Sequence, residues 1–146
     1  NMLTSSEENV LTEMSKNGLQ VYVMIEIPSN VLMADEFVKL FDGFSIGSND
    51  LTPLTLGLDC DSALASYLFS EENPAVKSII KETIRVDKRF GIKVGLCGQA
   101  PSNIPQFAKF LVNEGIDSIL FNPDALIKGI ENILEAEKKT KREILM

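Results

Sequence analysis

The sequence predicts an α/β protein with a parallel sheet, on three observations. Four short β-rich runs alternate with segments whose apolar residues recur at helical spacing. Those runs are nearly continuous in apolar residues, as strands covered on both sides are. Glycine or Asn-Pro signals close each helical segment or open the next one.

Taken in order, Ser5 with Glu8 predicts a capping box for a short helix carrying Val10, Leu11 and Met14, stopped by Gly18. Val21–Ile27 is the first strand, ended by Pro28. Ala34, Phe37, Val38 and Phe41 then share a helical face up to Asp42-Gly43, and Phe44–Gly47 is the second strand, running into Ser48-Asn49-Asp50. A longer connection follows, with a small helix expected near Ala63–Phe69. A stronger helix begins at Pro74, with Val76, Ile79, Ile80 and Ile84 on one side and Gly91 at its carboxyl cap. Ile92–Cys97 is the third strand, and Gly98-Gln99-Ala100-Pro101 is expected to break regular structure. Pro105 suits the first turn of the next helix, with Phe107, Phe110 and Leu111 inward and Gly115 as its stop. Ile116–Phe121 is the fourth strand, and Asn122-Pro123 opens a last helix with Leu126, Ile130, Ile133 and Leu134 before a charged tail. The near-regular step between strand ends is that of successive units of a (β/α)8 barrel, of which four units are half; spacing alone leaves a doubly wound sheet open.

Composition narrows the function classes. Fourteen basic against twenty-one acidic residues give a net charge of −7, with no basic block, which argues against nucleic-acid binding. No apolar run is long enough for a membrane span and no signal peptide opens the chain, so a cytoplasmic location is the expectation. The chain opens on Asn1, so its amino-terminal boundary is taken as artificial. There is no histidine, which leaves Cys, Asp or Glu for any acid–base work. Cys60 and Cys97 read as two free thiols, Cys60 without assigned work.

In a parallel α/β protein, reactive groups gather where strands end. Glu26, Asp50 and Cys97 occupy that position. A carboxylate at the end of an apolar strand is costly to bury unless paired or bound to a cation. Two carboxylates from neighbouring strands suit Mg2+, which takes one or two protein carboxylates and leaves positions for substrate oxygens and water. Each residue alone also has a plainer reading, as a helix cap, a surface ion pair, a turn residue or a buried apolar thiol.

Met24–Asn30, Phe44–Thr52 and Val94–Ala100, in that order and spacing, resemble the signatures of the phosphoenolpyruvate-utilising enzymes. That family includes phosphoenolpyruvate synthases, pyruvate phosphate dikinase and enzyme I of the sugar phosphotransferase system. Gly98–Ser102 and the stretch from Gly115 to Asp124 look most like the synthases. The resemblance implies that the chain is the carboxy-terminal half, about four βα units, of a pyruvate- and phosphoenolpyruvate-binding (β/α)8 barrel, without the ATP-binding and phosphohistidine domains. It implies that Glu26 and Asp50 are Mg2+ ligands, that Gly47, Ser48 and Asn49 bind substrate, and that Cys97 exchanges a proton with the methyl carbon of pyruvate. In synthases of the family, ATP phosphorylates a histidine on a mobile domain, the phosphoryl group passes to the pyruvate enolate, and AMP and phosphate are released. The chain departs from the family pattern at Pro53 and Cys60, where Gln and Arg are usual.

Arg85, Arg89 and Arg142 fall on helices and Lys93 opens its strand at the end opposite Cys97, so no cation is expected to clamp a phosphoryl group. In the family those cations come from the other half of the barrel, and the isolated chain is expected to be inactive. The expected partners are therefore pyruvate or phosphoenolpyruvate and the remainder of a parent enzyme. The alternatives are another Mg2+ enolate barrel, such as enzyme I or a citryl-type lyase, and a non-catalytic module. Two open edge strands, Val21–Ile27 and Ser118–Phe121, invite pairing, and a symmetric homodimer is expected.

Overall fold

The computed structural model describes residues 4–58 and 69–144. Four strands, β1 (Tyr22–Ile25), β2 (Gly43–Gly47), β3 (Lys93–Cys97) and β4 (Ser118–Ile119), form one sheet in the order β1-β2-β3-β4. Every pairing is parallel. A doubly wound sheet reverses its strand order at a switch point, whereas barrel units follow one another. This sheet follows the second rule.

Among the described residues eight α-helices accompany it: α1 (Ser5–Lys16), α2 (Pro28–Leu32), α3 (Ala34–Phe37), α4 (Ser48–Leu56), α5 (Pro74–Phe90), α6 (Ala100–Asn103), α7 (Pro105–Glu114) and α8 (Leu126–Ile144). The core lies on the helix-covered face of the sheet. Ile25, Phe44, Ile46, Val94 and Leu96 from the strands meet Leu51, Val76, Ile80, Ile84, Phe107 and Leu111 from the helices, all fully or almost fully buried. Of the expected inward residues of α5 and α7, Val76, Ile80, Ile84, Phe107 and Leu111 are in this core and Ile79 and Phe110 pack against it half-buried, and Gly91 and Gly115 stop those helices at φ +70° and +85°.

The other face of the sheet is different. Tyr22 and Met24 on β1 are 40% and 42% exposed, against the expectation of strands covered on both sides. An apolar run does not say which of its faces another element will cover. Four barrel units supply helices to the outer face only, and the inner face is left for strands from other units.

Other expectations shift in detail. The capping box at α1 uses Thr4 and Glu7, one residue earlier than Ser5 and Glu8. The Thr4 backbone N–H donates to Glu7 Oε2 at 2.7 Å, and the Glu7 N–H donates to Thr4 Oγ1 at 3.4 Å. The stretch after β2 is helical at once: α4 starts at Ser48 and continues through buried Pro53, which gives up one backbone donor. The Gly98–Pro101 stretch likewise runs into a short helix, α6. β4 is only two residues long, Ser118 and Ile119 pairing with Gly95 and Leu96, and the Leu120 N–H adds one more bond to the Leu96 carbonyl at 2.9 Å. The charged tail is part of α8, whose Leu126, Ile130 and Leu134 are each nearly half exposed. The small helix expected near Ala63–Phe69 and the thiol of Cys60 fall largely or wholly outside the described residues, as does the Arg142 side chain. No described helix is long and apolar enough to cross a membrane.

Two aspartates fix the sheet at its amino-terminal end. Asp42, just before β2, takes the Val21 N–H on Oδ2 at 2.8 Å and returns its own N–H to the Val21 carbonyl at 2.9 Å. Asp117, just before β4, does the same to Val94, at 2.9 and 3.0 Å. Each clamp sets the register of a strand against the one before it.

Candidate functional site

Because all four strands are parallel, their carboxyl ends lie together. Register pairs Ile25 with Ile46 and Gly47 with Cys97, so the residues that end β1, β2 and β3 sit side by side. Side chains alternate between faces along a strand. Met24 and Glu26, Ser45 and Gly47, and Gly95 and Cys97 therefore share the inner face.

Glu26 follows β1 and folds across the end of β2. A Cβ on Gly47 would lie 2.9 Å from Glu26 Cγ and 3.2 Å from its Oε1, so glycine at position 47 makes the room that the carboxylate occupies. The backbone of Glu26 is held by Asn30, whose Oδ1 accepts the N–H groups of both Glu26 and Ile27 at 3.2 Å. Asn30 is a positioning residue that the sequence reading passed over. The Asn four residues beyond a strand-end carboxylate was the available signal, since asparagine side chains commonly cap nearby backbone donors.

Gly47 then caps α4, and Ser48, Asn49 and Asp50 form its first turn. Asp50 is exposed at the mouth, whereas Ser48 is fully buried beneath the β3 loop. A Cβ on Gly98 would come 2.0 Å from Ser48 Oγ, so the two loops interlock at a glycine. Ser48 Oγ has no hydrogen-bond partner among the described residues. Asn49 ties the same loops together, its Oδ1 accepting the Gln99 N–H at 3.3 Å.

Cys97 is a half-buried free thiol. Its Sγ lies 3.5 Å from the Ile46 carbonyl oxygen, 3.6 Å from Ser45 Oγ and 3.7 Å from Met24 Sδ. Thus Glu26 and Cys97 flank Gly47 from its two sides, and Asp50 stands one helical turn beyond it.

The donor set matters for a metal. Glu26 and Asp50 are hard oxygen donors, the ligand type that Mg2+ takes from protein in ones or twos.

The strand-end segments carry no cation. No Lys or Arg occurs in segments 19–38, 40–76, 94–108 or 110–127, which contain all the strand-end loops. Arg85 pairs with Glu82 and Arg89 with Asp35, both on the outer helices, and Lys93 pairs with Asp117 at the far end of β3. A cavity of about 590 Å3 between α1 and the segment from Val38 to Asp42 is lined by none of these strand-end residues.

Comparison with known proteins bears on the architecture and the ancestry. Residues 1–138 match the family described as PEP-utilising enzyme, PEP-binding domain. The chain is 58% identical over 124 residues to phosphoenolpyruvate synthase of Aquifex aeolicus, covering 85% of this chain and 14% of that protein. It is 60% identical over 123 residues to the synthase of Synechocystis (84% and 15% covered) and 50% identical over 123 residues to that of Escherichia coli (84% and 16%). The chain therefore spans about a seventh of the length of these relatives. Among solved structures it resembles an HpcH/Hpal aldolase/citrate lyase family protein from Burkholderia cenocepacia J2315, with a TM-score of 0.55 at 16% identity over 88% of this chain and 43% of that one. It also resembles citrate synthase SbnG, with a TM-score of 0.52 at 19% identity over 90% of this chain and 49% of that one. At such identities the likeness concerns the fold, and it is a likeness to a little under half of each structure. With a sequential parallel sheet, an uncovered inner face and a family match along almost its whole length, this chain belongs to the PEP-binding domain family of the PEP-utilising enzymes and forms part of a barrel.

Proposed function

We propose that the chain supplies one half of a pyruvate- and phosphoenolpyruvate-binding site to a phosphoenolpyruvate synthase. In this reading the parent enzyme converts ATP, pyruvate and water to phosphoenolpyruvate, AMP and phosphate through a phosphohistidine carried elsewhere in its sequence. Glu26 and Asp50 would hold Mg2+ by their carboxylates, and when bound it would supply positive charge for the oxygen that becomes negative as pyruvate enolises. Gly47, Ser48 and Asn49 present the first turn of α4, whose free N–H groups suit an anionic substrate. Cys97 takes a proton from the methyl carbon when the enolate forms and returns it in the reverse direction. The C–H bond breaks, an S–H bond forms, and the carbon electron pair moves into the enolate.

The observation that supports this most directly is the convergence at Gly47, with the Glu26 carboxylate over it on one side and Cys97 paired to it on the other. The strand-end segments supply no cation, so a phosphoryl group needs Arg or Lys from the rest of the barrel. The isolated chain accordingly does not turn over ATP and pyruvate.

The metal arm is tested on the chain itself by Mn2+ binding, followed by electron paramagnetic resonance with and without oxalate. Glu26→Gln and Asp50→Asn should each weaken Mn2+ binding by about tenfold or more, since each removes a charged ligand. Unchanged affinity in both variants would overturn the assignment. A homodimer is proposed alongside, because large apolar side chains are exposed on helices flanking the sheet's two open edges: Leu32 at 84% and Ile127 at 77%. Sedimentation of a folded monomer at micromolar concentration would refute it.

A further inference from the structure

Leu120 is 64% exposed, and the backbone fixes its place. Its N–H donates to the Leu96 carbonyl at 2.9 Å, which carries the β3–β4 ladder one residue past Ile119. Register sets Gly95 beside Ser118 and Leu96 beside Ile119, so Leu120 comes level with Cys97. Leu96 and Ile119 turn to the helix-covered core. Side chains alternate between faces along a strand, so Leu120 shares the inner face with Cys97. A single exposed leucine on an outer surface is ordinary. This one stands beside a thiol, on the face that carries the site.

The residues that follow hold it there. A Cβ on Gly129 of α8 would lie 2.6 Å from both Cδ1 and Cε1 of Phe121, so glycine lets that ring seat against the helix. The Asn122 N–H donates to Ser102 Oγ of α6 at 3.0 Å, which ties the end of β4 to the segment that follows Cys97. Toward β1, Met24 Sδ is 3.7 Å from the Cys97 sulfur. The thiol thus has an apolar side chain toward each flank of the sheet, whereas the Glu26 carboxylate lies over Gly47. A small 2-oxo acid bound here by its oxygens near the carboxylates would turn its C3 carbon toward the thiol and Leu120.

We propose that Leu120 is a specificity-determining residue: it gives the C3 side of the site an apolar wall, which selects a 2-oxo acid bearing hydrogen or alkyl at C3 over one bearing a hydroxyl or a charged group there. An alkyl group laid on the leucine takes apolar surface of both out of water. A hydroxyl or carboxylate in the same place gives up water and meets no partner in that side chain. This rests on the reading of Cys97 as the proton carrier at the methyl carbon of pyruvate, and it adds the residue that screens what else that carbon carries.

The test compares the rates at which N-propylmaleimide and N-(2-hydroxyethyl)maleimide modify Cys97. The reagents are matched in size and differ by a methyl for a hydroxyl at the far end. Intact mass follows the reaction in the full chain carrying Cys60→Ser, so that a single thiol reacts. Each ratio of rates is divided by its value in concentrated urea, which removes the intrinsic reactivities. The folded chain should favour the propyl reagent about threefold, the factor that covering most of one methyl supplies. Leu120→Ser should bring the ratio to within about 1.5-fold of the urea value, and Leu120→Met, which keeps an apolar contact, should hold it at about threefold. The side chain is largely exposed, so both variants fold. A leucine that only shields the thiol predicts that both reagents speed up equally when it is removed. An unselective parent chain, an unchanged ratio in L120S, or L120M behaving like L120S overturns the proposal. The assay uses neither metal nor pyruvate, so its failure and a failure of Mn2+ binding through Glu26 and Asp50 are separate results.

Discussion

Replacing Gly98 by alanine should separate the β2 and β3 loops at the mouth of the site. The added Cβ would sit 2.0 Å from Ser48 Oγ, 3.3 Å from Ser48 Cβ and 3.4 Å from Asn49 Oδ1. The first distance is far inside contact, and Ser48 has no exposed side to turn toward. Either the first turn of α4 moves or the β3 loop does. Overpacking of this kind costs about 1–3 kcal/mol, which for a chain of this size lowers the melting temperature by roughly 3–9 °C. Ser48→Ala removes the atom responsible for the closest contact. Alone it should be neutral or stabilising by up to about 1 kcal/mol, because its buried hydroxyl has no partner among the described residues. Combined with Gly98→Ala, it should recover most of the loss, giving a coupling of about 1 kcal/mol or more in a double-mutant cycle. Urea denaturation followed by circular dichroism measures all four proteins. Additive effects, with no recovery in the double variant, would show that the loops do not interlock at this glycine.

Three further outcomes follow from the same geometry. Asp117→Ala should destabilise the chain by about 1–2 kcal/mol by leaving the Val94 N–H unpaired, and Asp117→Asn, which keeps an acceptor, should cost less; urea unfolding distinguishes them. Asn30→Ala frees the N–H groups of Glu26 and Ile27 and should weaken Mn2+ binding several-fold while Asp50 stays in place; paramagnetic resonance reads this, and unchanged binding would deny Asn30 its positioning role. The backbone and side-chain hydrogen bonds from Thr4 hold the Glu7 carboxyl below its ordinary range. A depressed carboxylate contributes stability above its unfolded-state value and loses it as pH falls through the folded one. The first turn of α1 should therefore fray on acidification through the lower carboxylate range, visible as loss of amide protection at Glu7 and Glu8, and Thr4→Ala, which removes the hydroxyl donor and keeps the backbone one, should reduce the pH dependence without abolishing it.

Local chemistry in the sequence was enough for the alternation of strands and helices, for the stops at Gly18, Gly91 and Gly115, and for the strand-end placement of Glu26, Asp50 and Cys97. Each of these depends on residues near one another in the chain: an apolar period, a glycine able to take positive φ, a polar residue where an apolar run stops. Even there the capping box slipped by one residue, since Thr4 and Ser5 offer the same hydroxyl and only the path of the backbone chooses between them. The helix begun at Ser48 was hidden by Pro53 and by a Ser-Asn-Asp opening that reads equally as a turn.

What tertiary structure alone decided is which residues meet. Parallel register set Gly47 beside Cys97, gave Glu26 its space over a missing side chain, and brought the Ser45 hydroxyl to the thiol across a sheet from far along the chain. It also left the inner face of the sheet open, which no apolar pattern could announce. A strand's sequence records that it has buried faces, but the element that buries each face is set by strand order and by how many units close around it.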